Sequence, residues 1–368
     1  MTEDDERPLR GYTVAVTADR RRVELAALLE RRGANVLCAQ AIQLVPVADS
    51  ELLSATRACL ETPVDLLVGT TATGLRGWFD AADGWGLGDA LRTQLAEVEV
   101  VARGSKARGA VRALGLRDGW TPPSETMGAV MNCLLARDIR GVRVVVQLHG
   151  EPLAAELEAL RAAGADVLAV PVYTWAPPAR AAPALQLVEL SVGRHVDAVT
   201  FTSAPAIDGL LRIARGSGRE DALLDALRTD VIPVCIGPVC AVPLERLGVS
   251  PLRPARARLG ELVRVLSNEV PARRSTTVHA AGHQLEIRGR LVVIDGRSVD
   301  VPPAPMAVLR ALARQPGRVC GRDELAGALP GSRSGGHAVE MAVTRLRGLL
   351  CDPRLVRTVV KRGYRLSV

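Results

Sequence analysis

The chain has 368 residues, 48% apolar and only 2% aromatic, a composition for roughly two or three globular domains with cores of Leu, Val and Ala. Its net charge of +7 is uneven: residues 275–368 hold 15 Lys or Arg against 7 Asp or Glu, a balance of +8, and the rest holds 32 against 33, a balance of −1. No run reaches the ~18 apolar residues of a membrane span and the N-terminal MTEDDERPLR has no apolar core, so the protein is expected to be cytoplasmic.

The seven cysteines, Cys38, Cys59, Cys133, Cys235, Cys240, Cys320 and Cys351, form no CxxC pair and are odd in number. They read as reduced thiols, not as a zinc site or a full disulfide framework. His279 and His283 stand four apart with no Cys or carboxylate beside them, so no metal is expected.

Along residues 1–270, short apolar runs alternate with helix-period segments, the pattern of parallel strands covered by helices on both faces. The predicted strands are TVAV (13–16), DLLVG (65–69), VEVVA (98–102), RVVVQL (143–148), DVLAVPV (166–172), DAVTF (197–201) and VIPVCI (231–236). Amphipathic helices such as VELAALLERRG and LAAELEALRAAG lie between them, each stopped by a glycine, Gly33 and Gly164.

This body repeats itself at an offset of about 130 residues, a domain-sized period. RGYTV (10–14) with LLERRGANVL matches RGVRV (140–144) with LEALRAAGADVL. Downstream, DLLVGTTATGL (65–75) matches DAVTFTSAPAI (197–207), and VVARGSKARGAVRALGL (100–116) matches PVCIGPVCAVPLERLGV (233–249). The duplication puts hydroxyl-rich and Gly-containing loops at strand C-termini, where open α/β sheets bind ligands.

Thr70, Thr71 and Thr73 follow one strand and Thr202 and Ser203 another, each just before a helix, so hydroxyls and N-terminal amides are candidates to hold an anion. Gly104, Ser105 and Lys106 open the next loop of one repeat, and Gly237 and Pro238 that of the other. For any one of these Ser and Thr residues, simple helix capping is the competing role.

The paired FTS-type loops, IGP at 236–238 and VPVYTW at 170–175 resemble uroporphyrinogen-III synthase, over roughly residues 8–268. The resemblance implies two α/β lobes with parallel sheets, joined by a two-stranded hinge, one lobe inserted in the other. Carried over, lobe 1 is 1–45 plus 175–270 and lobe 2 is 48–170. It further implies a cofactor-free enzyme that closes a linear hydroxymethyl-tetrapyrrole, with Tyr173 on the returning hinge as candidate catalytic acid or positioning group; a half-buried hinge aromatic is the competing role. Departures stand against turnover: Val239 and Cys240 follow IGP where the family often keeps a Thr, Ala107 replaces a hydroxyl, and TTATG stands for TSANG.

Residues 271–284, within the polar stretch SNEVPARRSTTVHAAGHQ, read as a linker. LEIRG and RLVVIDGRSVDV then read as strands around an Asp295-Gly296 turn, followed by helices over PAPMAVLRALARQ, GRDELAGAL and HAVEMAVTRLRGLL. The third helix is expected to bury Val339, Val343, Leu346 and Leu350 and to present His337, Thr344 and Arg345 on its other side. RTVVKRGYRLSV closes the chain as a hairpin.

PGRVCGRDEL, VEMAVTRLRGLL and RTVVKRGYRL resemble the OmpR/PhoB-type effector domain, a winged helix-turn-helix, over 285–368. The resemblance implies double-stranded DNA as partner, with the third helix in the major groove and the hairpin as wing. Candidate DNA-binding residues are His337, Thr344, Arg345, Arg347, Lys361 and Arg362. Lys361 stands where the family usually has Gly. The first strand ends TVAVTADRR, without the acidic pair of a receiver domain, so phosphorelay control is not expected.

The sequence therefore predicts a DNA-binding transcriptional regulator with a synthase-like, ligand-sensing body, its ligand a tetrapyrrole or another polycarboxylate. An active uroporphyrinogen-III synthase carrying a DNA-binding domain is the first alternative, and an interaction module for another regulator the second. A homodimer on DNA is a candidate assembly.

Overall fold

The computed structural model describes residues 7–329 and 336–368. It separates into unit 1, residues up to Ile42 together with Pro177–Val368, and unit 2, Gln43–Ala176.

The chain opens unit 1 with β1 (Thr13–Val16), α1 (Arg22–Arg31) and β2 (Asn35–Cys38). Unit 2 runs β3 (Gln43–Pro46), α2 (Asp49–Glu61), β4 (Leu66–Gly69), α3 (Ala72–Gly84), α4 (Gly88–Leu95), β5 (Glu99–Ala102), α5 (Ser105–Ala113) and α6 (Met127–Leu135). It ends with β6 (Arg143–Gln147), α7 (Ala154–Ala162), β7 (Asp166–Val170) and β8 (Tyr173–Ala176). Unit 1 resumes with α8 (Ala182–Val192), β9 (Ala198–Phe201), α9 (Ala204–Gly216), α10 (Glu220–Thr229), β10 (Ile232–Cys235), α11 (Pro238–Arg246) and α12 (Leu259–Arg274).

Two parallel four-stranded sheets result, β10-β9-β1-β2 in unit 1 and β5-β4-β6-β7 in unit 2. Under the repeat read from the sequence, β10 matches β5, β9 matches β4, β1 matches β6 and β2 matches β7, so both sheets have one strand order. The central strands carry apolar runs because helices cover both faces: Val14, Ala15 and Val16 are fully buried, as are Val144, Val145 and Val146. The helices α1 and α7 are each followed by a left-handed glycine, Gly33 at φ 89° and Gly164 at φ 92°. β3 and β8 pair antiparallel as a two-stranded ribbon, Pro46 opposite Tyr173.

Past α12 the chain forms β11 (Ser275–Ala280), β12 (His283–Arg288), β13 (Leu291–Ile294) and β14 (Arg297–Asp300), an antiparallel sheet. Then come α13 (Pro303–Ala313), α14 (Arg322–Ala328), α15 (Gly336–Leu349), β15 (Val356–Val359) and β16 (Gly363–Leu366). One core joins these elements, built on Leu285, Val292, Leu309, Leu312, Leu325, Val339, Leu346 and Leu366.

Residues 271–284, read as a linker, are ordered: α12 runs to Arg274, Ser275 begins β11, and β11 pairs with β12 along its length. Val278 and Ala280 are buried and alternate with exposed Thr277 and His279, the period of a half-buried strand. The DNA-binding-type domain is seated on the first sheet's lobe. Gly11, at φ 89°, lies so close to Arg288 and Leu291 that a Cβ there would meet the Arg288 carbonyl oxygen at 2.6 Å, and Arg290 N–H donates to the Gly11 carbonyl at 2.8 Å. Asp197, 4% exposed, accepts Thr13 N–H at 2.8 Å and faces Arg274 and Arg310 at 3.7 Å each. Arg310 also donates to the Gly289 carbonyl at 2.9 Å.

Candidate functional site

In unit 2 the candidate residues collect at the C-terminal ends of β4, β5 and β6. Thr70 and Thr71 are consecutive and so point opposite ways. Thr70 is 2% exposed, and its hydroxyl donates to the Gln147 backbone carbonyl at 2.7 Å and lies 3.1 Å from Oε1 of the same residue. It ties β4 to β6, so its hydroxyl is taken up inside the fold. The Thr71 hydroxyl accepts Gly74 N–H at 3.1 Å, capping α3, and lies 3.2 Å from the Tyr173 hydroxyl. Capping and site membership thus coincide in Thr71. Thr73 is half-buried in the first turn of α3.

Tyr173, 6% exposed, begins β8 and meets Trp175 edge to face at 5.6 Å. Trp175 Nε1 is buried without a hydrogen-bond partner, as is His149 Nδ1. Burial, and after it the charge of Arg103, lowers the His149 imidazole to about 4, so it is neutral at neutral pH. Burial also pulls the Arg103 guanidinium down, opposed by Tyr173, Glu151 and Glu125. A half-buried cation beside a neutral imidazole, an indole N–H and two hydroxyls is a donor-rich environment suited to an anion.

The turn at Gly104, Ser105 and Lys106 is already occupied from within. Glu125, at φ 51°, places Oε1 3.1 Å from Ser105 N, where the N-terminus of α5 offers its amides. Gly104 lies within van der Waals reach of that carboxylate, and the Ser105 and Lys106 side chains are exposed.

In unit 1 the corresponding ends of β9 and β10 carry Thr202, Ser203, Gly237 and Pro238. Thr202 and Ser203 are half-buried, and Ser203 is the N-cap of α9 without a side-chain capping bond. Gly237 caps α11 in an extended conformation, with only ordinary contact to Ala257 around it, so no close approach demands glycine there. Cys240, 4% exposed, points its thiol at the Phe201 carbonyl, 3.4 Å away, and is part of the core.

On α15 Val339, Ala342, Val343 and Leu346 are buried, with Leu350 beyond, and His337, Thr344 and Arg345 are exposed. Met341, 59% exposed, shares that outer side and was missed, because an apolar residue at helical spacing reads as core. Lys361 and Arg362 are exposed at the hairpin tip, and Lys361 takes φ 58°, which accounts for a preference for Gly there. Arg347, a candidate phosphate contact, has partners within the fold. Its guanidinium donates to the Val356 carbonyl at 2.9 Å and the Thr358 hydroxyl at 2.8 Å and lies 5.8 Å over the Tyr364 ring, fastening the hairpin to α15.

Sequence reading missed Arg103, Gln147, His149 and Trp175. Three of the four lie within two residues of the end of an apolar run, and that position was the available signal. Among the described residues no cluster of three or more His, Cys, Asp or Glu could hold a metal, and no helix is long and apolar enough to cross a membrane.

Comparison with known proteins agrees with this geometry. The family model for uroporphyrinogen-III synthase HemD matches residues 23–264, and the model for the C-terminal part of transcriptional regulatory proteins matches 296–366. A Bacillus subtilis relative, the uncharacterized protein YjjA, is 28% identical over 256 residues, 69% of this chain and 94% of its own. A putative uroporphyrinogen-III synthase of Methanothermobacter thermautotrophicus is 25% identical over 67% of this chain and 94% of its own. The crystal structure of a mutant uroporphyrinogen III synthase from Thermus thermophilus is 30% identical, covers 69% of this chain and 96% of its own, and superposes with a TM-score of 0.60. With two parallel sheets of one order, a hydroxyl pair at Thr71 and Tyr173, and a sheet, three helices and a hairpin behind them, the chain belongs to the uroporphyrinogen-III synthase family and carries a C-terminal OmpR/PhoB-type winged helix.

Proposed function

We propose that the protein is a transcriptional regulator that binds double-stranded DNA through α15 and the β15–β16 wing, and whose synthase-like body senses an anionic ligand, a tetrapyrrole or another polycarboxylate. The observation that carries this reading is the coincidence of charge and exposure. The +8 balance of residues 275–368 lies in one domain, and His337, Thr344, Arg345, Lys361 and Arg362 are exposed there. For the body, the support is the half-buried Arg103 in the site of His149, Trp175, Thr71 and Tyr173. Two copies pairing on DNA belong to the same proposal.

The test is binding of the full chain to its own promoter region across a salt series. Affinity should fall steeply with salt, Arg345→Ala should reduce discrimination between sequences, and Arg362→Ala should weaken all sequences alike. Absence of binding at low salt to any duplex would remove the regulator reading.

One observation favours an active synthase as the second reading: the Thr71 and Tyr173 hydroxyls lie 3.2 Å apart, a proton-relay distance. An enzyme should form the type-III ring faster than spontaneous closure to the type-I ring and should slow on Tyr173→Phe. A sensor should bind a tetrapyrrole acid equally well with either residue. Ring formation at the spontaneous rate would remove the synthase reading.

A further inference from the structure

The wing presents a second charged feature, on the side of its sheet away from α15. In the β15–β16 register Arg357 stands directly opposite Arg365. Val356, Tyr364 and Leu366, their neighbours along the strands, are buried against the helical core, so strand alternation turns both arginines to the other face. Like charges directly opposite in an antiparallel pair destabilise it unless something lies between them.

No carboxylate does so. Among the described residues neither Arg357 nor Arg365 has an ion-pair partner, and Arg365 Nε is buried without a hydrogen bond. A third arginine, Arg354, gives Nε and Nη2 to Asp352, the Nη2 contact at 2.8 Å, which leaves its remaining Nη1 edge unengaged among the described contacts. The three arginines line one half-open cavity of about 180 Å³, together with Ala281, Ser367 and Val368. At about 30 Å³ per water that is room for an oxyanion and its remaining hydration.

The geometry points to an oxyanion site of the phosphate class, held by Arg357 and Arg365 across the strand pair and by Arg354 from the turn before β15. Guanidinium forks bind phosphate oxygens in pairs, and a doubly charged anion cancels the charge of Arg357 and Arg365, which have no carboxylate partner among the described residues, while Arg354 keeps Asp352. The phosphate belongs either to a free small anion or to a DNA backbone reached by this side of the wing. The site is built from the fold alone and does not depend on how α15 reads DNA.

The test compares the full chain and Arg357→Gln in pyrophosphate and in chloride of equal ionic strength. Arg357 is exposed, so the variant folds, and in chloride it should melt at or above wild type because the cross-strand repulsion is gone. Pyrophosphate should raise the wild-type Tm by about 3 °C or more and leave the variant unmoved, an outcome that identifies a free anion as the occupant. If the phosphate is that of DNA, pyrophosphate gives no shift, and the variant instead lowers the salt slope of DNA binding by about 1. Arg365→Lys, which keeps the charge but not the fork, should lose most of whichever response wild type shows. Equal pyrophosphate shifts and equal salt slopes in wild type and Arg357→Gln would overturn the site.

Discussion

Replacing Asp197 by Ala should loosen the winged helix from the lobe it sits on. The carboxylate is 4% exposed, and Oδ2 accepts Thr13 N–H at 2.8 Å. Losing a hydrogen bond to a charged acceptor and leaving a buried amide unpaired costs about 1.5–3 kcal/mol. Oδ1 faces Arg274 and Arg310 at 3.7 Å, an ion-pair distance outside hydrogen-bond reach, so this part falls below the ~3–5 kcal/mol of a fully broken buried pair. Arg274 keeps Asp230 at 3.7 Å and Arg310 keeps the Gly289 carbonyl, which limits the damage further. About 3 kcal/mol in total is the expected loss, and Asp197→Asn, which retains an acceptor for Thr13, should cost about half.

Burial raises the Asp197 carboxyl, opposed by Arg310, by the Thr13 amide and by Arg274. The chain has several domains, so local hydrogen exchange serves better than a global melt. Amides of β1 and β9 and those of β12, β13 and α13 should all lose protection together in Asp197→Ala. Loss confined to β1 and β9 would refute the argument, because it would make Asp197 a residue of one lobe's core with no part in docking.

Three further outcomes follow from the same contacts. Glu125→Gln removes a carboxylate from the N-terminus of α5, so citrate, used as a tricarboxylate probe, should bind several-fold more tightly in a thermal-shift titration. His283 is pushed up by its hydrogen bond to Asp295 at 2.6 Å and by Asp352 at 3.5 Å, while Arg354 and His283 hold Asp352 down at about 2. A raised histidine stabilises below its unfolded value of about 6.5 and loses that contribution as pH climbs through the raised folded value, so protection of β11 and β12 should fall as pH rises above about 6.5, and His283→Gln should flatten the profile. Arg347→Ala removes the anchors to Val356, Thr358 and Tyr364; the wing should lose about 1–2 kcal/mol of local protection by exchange, and DNA affinity should drop evenly across sequences.

The central strands were legible in the sequence because burial on both faces leaves a continuous apolar run, as in β4 and β6. β2 and β11 were not, for β2 is largely exposed and β11 buries only small residues such as Val278 and Ala280 among Ser, Thr and His. The hydroxyl-rich loops were found, but Thr70 and Thr71 could not be told apart without knowing which hydroxyl Gln147 takes up and which lies beside Tyr173. Glu125 reaches Ser105 from twenty residues further on, with no local pattern to announce it. The partners of Arg347 within the fold left no local pattern, because they are a backbone carbonyl and a hydroxyl on a later strand.

The docked domain changes how a ligand could act on DNA. A tether would let the winged helix tumble freely, so that the state of the body would not reach it. Here Arg274 ends α12, Ser275 begins β11, and Asp197 faces both Arg274 and Arg310, so lobe and winged helix share their junction. Asp197 immediately precedes β9, and Thr202 and Ser203 immediately follow it; this one strand, about 13 Å at 3.3 Å per residue, joins the docking end to a candidate ligand-binding end. Adjacency is not yet coupling, because energy passes only if the strand has two arrangements that both ends prefer unequally. Linkage supplies the measure: whatever factor the ligand imposes on DNA affinity, DNA must impose on ligand affinity. Affinity for a tetrapyrrole acid measured with and without bound promoter DNA should therefore differ, by about 5-fold or more for a coupling above 1 kcal/mol, and Asp197→Ala should bring the two values together. Equal affinities in the wild-type chain would mean that docking is mechanical only, and would favour a synthase that carries a DNA-binding domain over a sensor that controls one.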